Sequence, residues 1–241
     1  QRIFVATRSP AGTWRDPTRS AEALSFPPSA YEHQVALGPD GEEIVVWNQW
    51  RDADFSGLGV AVARRPTGEG AGDGPRDRND LVSPAVLFSN APQVAVNARG
   101  DAALTWYQSV GGPLMTFVSE RAGPAGTFSR PDADAYVSAN GAPIDGHETS
   151  NPMPASFSDG SAAVVWAQEN GKGAVALYMA ARAAGGTWQG PATLHDSLTP
   201  ASGRARCLQV AGGPDDELVV VWQEDQGDGA RVAHAKHLRP H

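Results

Sequence analysis

The chain has 241 residues and a mass of 25.2 kDa, enough for one large domain or two small ones. Its 41% hydrophobic and 19% charged residues describe a globular protein, and Gly 27 with Pro 19 call for many turns. Lys+Arg 19 against Asp+Glu 27, a net charge of −8, argues against a nucleic-acid partner; no apolar run nears the ~20 residues of a membrane-spanning helix, and the single Cys207 excludes an internal disulfide or a CxxC zinc site.

In chain order, residues 3–8 (IFVATR) read as a strand, and SPAGTWRDP (9–17) as a Gly turn with a second, short strand. Residues 33–49 (HQVALGPDGEEIVVWNQ) then read as strand, Gly/Asp turn and strand ending in Trp47. That pattern returns as PQVAVNARGDAALTWYQ (92–108), PMPASFSDGSAAVVWAQ (152–168) and LQVAGGPDDELVVVWQE (208–224). The aligned Trp47, Trp106, Trp166 and Trp222 are 59, 60 and 56 residues apart. A third strand follows each time: GVAVARR (59–65), LMTFVSER (114–121), LYMAAR (177–182) and RVAHAKH (231–237), with 3–8 as a fifth copy. Here Arg8, Arg64, Arg121 and Arg182 recur at 56, 57 and 61 residues, a second series with the same period. Residues 174–184 are Ala-rich and favour helix locally, but their alignment with β-branched copies predicts a strand. A fourth element, Gly-Thr-aromatic, appears at 9–17, 123–131 and 184–191; the unit starting at His33 carries the Gly- and charge-rich insertion 66–80 instead, expected to be mobile.

A four-stranded meander of about 60 residues cannot bury both faces alone, whereas radially stacked copies can. The expected fold is therefore all-β: one β-propeller domain over 1–241, of about four to five four-stranded antiparallel blades. Its repeats are 1–32 (partial), 33–91, 92–151, 152–206 and 207–241 (partial). The chain starts and stops on a third strand, so one strand is duplicated. The terminal blade is expected to mix both chain ends; the alternatives are a segment upstream of Gln1 or a partner chain that completes the ring. The hairpins Gly12-Thr13-Trp14, Gly126-Thr127-Phe128 and Gly186-Thr187-Trp188 resemble degenerate Asp-boxes, Ser-x-Asp-x-Gly-x-Thr-Trp, of the sialidase (BNR-repeat) propellers, without the Asp. This resemblance implies a secreted or cell-surface bacterial protein that meets glycans. It also implies a Tyr–Glu nucleophile pair, for which only Tyr31-Glu32 is adjacent in sequence. Neighbours on a strand point to opposite faces, which speaks against that pair. No Arg-Ile-Pro motif is present, and the repeated arginines belong at the far ends of third strands.

Strand alternation sends the loops after second and fourth strands to one face. There Gln49, Gln108 and Gln168 lie two residues beyond their tryptophans, and Gln223 one residue beyond. With Trp50, Arg51, Tyr107, Glu169 and Glu224 they are candidates for a ring of amides, carboxylates and aromatics suited to sugar hydroxyls. The competing reading is that a repeated Gln satisfies backbone groups at each strand end. The longest loop carries Asp145, His147 and Glu148, a candidate ligand-binding or acid/base cluster, against which stands a plain solvated loop. Cys207 reads as a buried structural thiol. The loop 224–229 resembles a calcium loop only loosely, His234, His237 and His241 are transition-metal candidates against which stands a solvated tail, and no metal or cofactor is expected. No Gly-x-Ser-x-Gly elbow, P-loop or dinucleotide fingerprint occurs. The preferred reading is a non-catalytic binding propeller that recognises a glycan or protein surface. The alternatives are a sialidase-like or other glycoside hydrolase using loop carboxylates, and a scaffold subunit of a larger assembly.

Overall fold

A computed structural model describes residues 1–8, 11–19, 22–66, 72–85, 88–109, 114–138, 152–169, 174–200, 204–213, 216–225 and 231–239. A short hairpin, β1 (Thr7–Arg8) with β2 (Trp14–Arg15), precedes four antiparallel three-stranded meanders. Sheet 1 is β3 (Ala30–Leu37), β4 (Glu43–Trp50) and β5 (Leu58–Arg65); sheet 2 is β6 (Ser89–Val96), β7 (Ala102–Ser109) and β8 (Leu114–Arg121). Sheet 3 is β9 (Met153–Ser156), β10 (Ala162–Glu169) and β11 (Val175–Arg182); sheet 4 is β12 (Ala205–Gly212), β13 (Leu218–Asp225) and β14 (Arg231–Leu238). The described residues include no α-helix, and the Ala-rich stretch is a strand, as its repeat position requires. Neighbouring sheets meet along their first strands, β3 to β6, β6 to β9 and β9 to β12.

Each hairpin between first and second strands turns on a left-handed residue. Gly100 has φ 81, and a Cβ there would lie 2.8 Å from Pro124; sheet 4 uses Asp216 at φ 57 instead. The tryptophans then set the packing direction. Trp106, Trp166 and Trp222 each sit in the core shared with the preceding sheet, among Ile44 and Val46, among Ala91 and Tyr107, and among Val165 and Leu177 respectively. Trp47 instead meets Ile3, Val5, Leu24 and Phe26 from the start of the chain.

That N-terminal piece repeats a latch found in three sheets. The hydroxyls of Ser25, Ser83, Ser138 and Thr199 accept the N–H of Ile3, Val60, Thr116 and Leu177 at 2.9, 2.9, 3.0 and 3.0 Å. The residue before each hydroxyl donates its N–H back to the carbonyl of the same third-strand residue, as Leu24 does to Ile3 at 2.9 Å. At the opposite end of the strands the periodic arginines tie sheets together. Arg121, with its side chain wholly buried, pairs with Glu42 of sheet 1 at 2.8 Å, and Arg182 pairs with Glu120 of sheet 2 at 2.7 Å.

Two expectations are corrected. The sheets have three strands, not four; the fourth position shrinks to single bridges, Arg64 with Asp73, Phe117 with Tyr136 and Ala181 with Gln189. Pro and Gly crowd those segments, and neither sustains a ladder. The chain ends do not share a blade either: β1–β2 and β12–β14 are separate sheets, and β14 holds the edge of β13 that β12 leaves free. Trp188 packs beside Tyr178 and donates to Glu120 at 3.1 Å, whereas Trp14 is 60% exposed and plugs nothing. Of the insertion, 67–71 lie outside the described residues, and Arg78–Asp80 form a 3-10 turn.

Candidate functional site

The expected ring of amides does not face a channel. Gln49, Gln108 and Gln168 are fully buried, and each accepts the indole N–H of its own tryptophan at 3.1, 3.0 and 2.9 Å. The amide nitrogen of Gln49 donates to the carbonyls of Phe26, Ser29 and Trp50, and that of Gln108 to Pro84. These side chains satisfy strand-end backbone groups, which is why the repeat keeps them. Sheet 4 breaks the rule: Gln223 comes one residue early and is half-buried, so the Trp222 indole nitrogen has no partner. Glu224 pairs there with His234 at 3.2 Å, and His234 stacks on Trp222. Arg51 is also architectural. Its guanidinium donates to the Ser83 carbonyl and hydroxyl and to the Pro84 carbonyl at 3.1, 3.0 and 2.8 Å, and burial pushes its pKa down while the Asp52 charge opposes that. Glu169 is half-buried at the end of β10, and Asp145, His147 and Glu148 lie outside the described residues.

A different feature gathers chemistry. The first strands β3, β6 and β12 each break register at the same repeat position, between Tyr31 and Gln34, Asn90 and Gln93, and Arg206 and Gln209. The bulged residues Glu32, Ala91 and Cys207 have φ 49, 54 and 52, a left-handed backbone that costs a non-glycine residue about 1–2 kcal/mol. Cys207 is accordingly exposed, not the buried thiol expected. In sheet 1 the bulge removes the strict alternation of neighbours, so the objection to Tyr31-Glu32 falls. The Glu32 carboxylate accepts from the Asn48 side-chain amide and, across the seam between sheets 1 and 2, from the Ala91 N–H at 3.2 Å. Burial and then the charges of Glu32 and Tyr107 push the Tyr31 phenol up to about 12, so it stays neutral at physiological pH.

Around this carboxylate the seam is unsaturated. Asn48 is fully buried with no partner for Oδ1, and Ser89 at the start of β6 is fully buried with no partner for Oγ. Beside them lies an aromatic shelf. Trp50 stands 6.3 Å from Tyr31 and meets the edges of Phe55 and Phe88 at 5.2 and 5.9 Å, with those two rings 50% and 42% exposed. A separate cavity of 470 Å³ is lined by Arg51, Asp52, Arg78, Ser83 and Arg130, and by none of the residues around Glu32. The described residues contain no group of three or more His, Cys, Asp or Glu placed to hold a metal ion, and no helix long and apolar enough to cross a membrane.

Of the residues picked out in the sequence, the structure brings Tyr31, Glu32, Trp50 and Tyr107 to this seam. It adds Asn48, Phe55, Phe88 and Ser89. The missing signal was positional: Glu32, Ala91 and Cys207 share one repeat offset, immediately before the aligned first strands.

No protein-family model matches the chain, and no curated protein matches it in sequence. Solved structures do. An endo-arabinase from Bacteroides thetaiotaomicron is 13% identical over 94% of this chain and 82% of its own, with a TM-score of 0.50. The GH93 α-L-arabinofuranosidase of Fusarium graminearum, in complex with arabinobiose, is 10% identical over 87% and 62%, at 0.52. A Trypanosoma rangeli sialidase is 12% identical over 98% of this chain and 40% of its own, at 0.54. These neighbours are β-propeller glycosidases, and the likeness defines the fold of this chain as propeller-type, of which it spans two-fifths to four-fifths of the matched proteins' lengths.

Proposed function

We propose that this chain is a glycan-handling propeller of the glycoside-hydrolase kind, with its sugar site at the seam of sheets 1 and 2. The observation that carries the proposal is one carboxylate, Glu32, held on a left-handed bulge by amide donors alone beside an exposed aromatic shelf. The apolar face of a sugar ring packs on Trp50 and Phe55, while the exposed Glu32 carboxylate meets its hydroxyls. Glu32 takes the Tyr31 proton as the phenol oxygen bonds to the anomeric carbon and the glycosidic C–O bond breaks, and it passes that proton to the departing aglycone oxygen; water then cleaves the tyrosyl–sugar bond, returning a proton to Tyr31 through Glu32. The solved neighbours that act on arabinans, arabinofuranosides and sialosides support this reading over a purely non-catalytic binder. An exported location accords with a glycan substrate.

The test is a panel of chromogenic arabinofuranosides and sialosides beside a glycan array. Turnover is expected on at least one, falling about 10²- to 10⁴-fold in Glu32→Gln with binding retained. Glycan binding without turnover, abolished by Trp50→Ala, would select the binding-module reading; silence in both assays would remove the site from consideration. The second reading has its own support. The two donors that engage Glu32 fix the direction in which its oxygens accept, which suits recognition of hydroxyls as well as proton transfer.

A further inference from the structure

The inter-sheet packing has a direction, and at one place it is interrupted. Every tryptophan face covers the opposite face of the sheet before it. Val46, Thr105 and Val165, the residues one position before Trp47, Trp106 and Trp166, are therefore fully buried. Their counterpart in sheet 4, Val221, is 40% exposed, and Ala211, Ala233 and Ala235 around it are exposed as well. A second uncovered face is the tryptophan face of sheet 1. There Val35 and Leu37 of β3 are 61% and 69% exposed, while their counterparts Val94 and Val96 in sheet 2 pack into the core. Against this second face stands the N-terminal strand, packed on Trp47 through Ile3 and with its outer latch, Ile3 to Ser25 and Leu24, already made. Its β1 segment pairs with β2 on one edge, and among the described residues no strand pairs with the other. In sheets 1 to 3 that second edge is where the second strand lies.

We infer that this gap is an acceptor for a two-stranded β-hairpin with the chemistry of the chain's own repeat: apolar on both faces, turned by Gly/Asp and ending in Trp-x-Gln. Its second strand adds to the free edge of residues 1–8 by backbone hydrogen bonds. Its tryptophan face covers Val219 and Val221, and its other face covers Val35 and Leu37. Continuity with three existing interfaces of the same direction identifies the occupant, and an exposed edge and two uncovered apolar faces supply the driving force.

The experiment uses the full chain and the peptide PQVAVNARGDAALTWYQ, labelled for fluorescence anisotropy, with a scrambled peptide as control. A companion protein carries the same hairpin fused after His241 through a flexible linker of about 30 residues, which raises its effective concentration towards millimolar. Saturable binding is expected with the native order alone. The fusion is expected to melt several degrees higher than its scrambled version and to gain hydrogen-exchange protection over residues 1–8. Leu37→Lys with Val221→Lys, both at exposed positions, should weaken the peptide at least about tenfold and cancel the gain of the fusion. The inference is overturned if neither peptide nor fusion changes anything, if the lysine variant responds equally, or if sedimentation shows a homodimer that the lysines dissolve. That last result would make a second copy the occupant.

Discussion

Two glutamates ten residues apart in sheet 1 serve opposite ends of one seam. Glu42 faces Arg121 and Arg64, at 2.8 and 2.9 Å, and the Arg121 side chain is wholly buried. Glu32 is held by two neutral amide groups, with an unpartnered oxygen and exposed rings around it. A carboxylate neutralised by two guanidiniums has little left to offer a ligand, and its role is to fix sheet 2 on sheet 1. A carboxylate held by amides has no counter-charge against it and stays exposed, on a backbone that only a local constraint maintains. The first carboxylate fastens two sheets, and the second is the one the proposed site uses.

The sharpest way to break this contrast is to neutralise each glutamate in turn. Glu42→Gln leaves Arg121 buried without a counter-charge and should cost about 3–5 kcal/mol in urea unfolding, with glycan binding per folded molecule unchanged. Glu32→Gln should leave the unfolding midpoint nearly in place while turnover collapses.

Next in size is an alkaline effect. The Tyr31 pKa rises from the ordinary 10 to about 12 in the folded state. The stability contributed by its neutral form is therefore complete below pH 10 and is lost as pH climbs from 10 to 12. Tyr31→Phe should flatten that decline. It should also remove, from an ultraviolet tyrosinate titration, a component with a midpoint near 12; a titration curve unchanged by the substitution would refute the assignment.

The smallest expected change separates the bulges themselves. Cys207→Gly relieves a left-handed residue that makes no site, and should stabilise by up to about 1 kcal/mol without touching glycan binding. Glu32→Gly relieves the same backbone and should lose the ligand.

The all-β fold and the placing of strands were legible because they are written twice, once in the tryptophan series and once in the arginine series. Even β11, rich in alanine, is placed correctly by its alignment rather than by its local preference. Gln49, Gln108 and Gln168 were legible as a repeat, and the repetition itself points to their structural role. Tyr31-Glu32 was legible as an adjacent pair but was set aside, because an extended strand was assumed to alternate without interruption. A bulge follows from how a strand meets its partner, not from the strand's own letters. Asn48 was hidden between Trp47 and Gln49, whose pattern drew the eye, and Phe88 reaches Trp50 from another sheet. The number of strands per sheet failed for a related reason. A Gly-Thr-aromatic segment looks like a strand, but its flanking prolines and glycines leave pairing over two residues at Trp14–Arg15 and a single bridge at Gln189.

The latch formed by Ser25, Ser83, Ser138 and Thr199 sits wholly within each unit, tying a third strand to the loop about 22 residues beyond it. No unit therefore depends on a distant one to finish its own outer border. Gene duplication or loss of a whole unit would change the circumference of the assembly without unmaking any neighbour, so size is open to evolutionary drift while the local design stays constant.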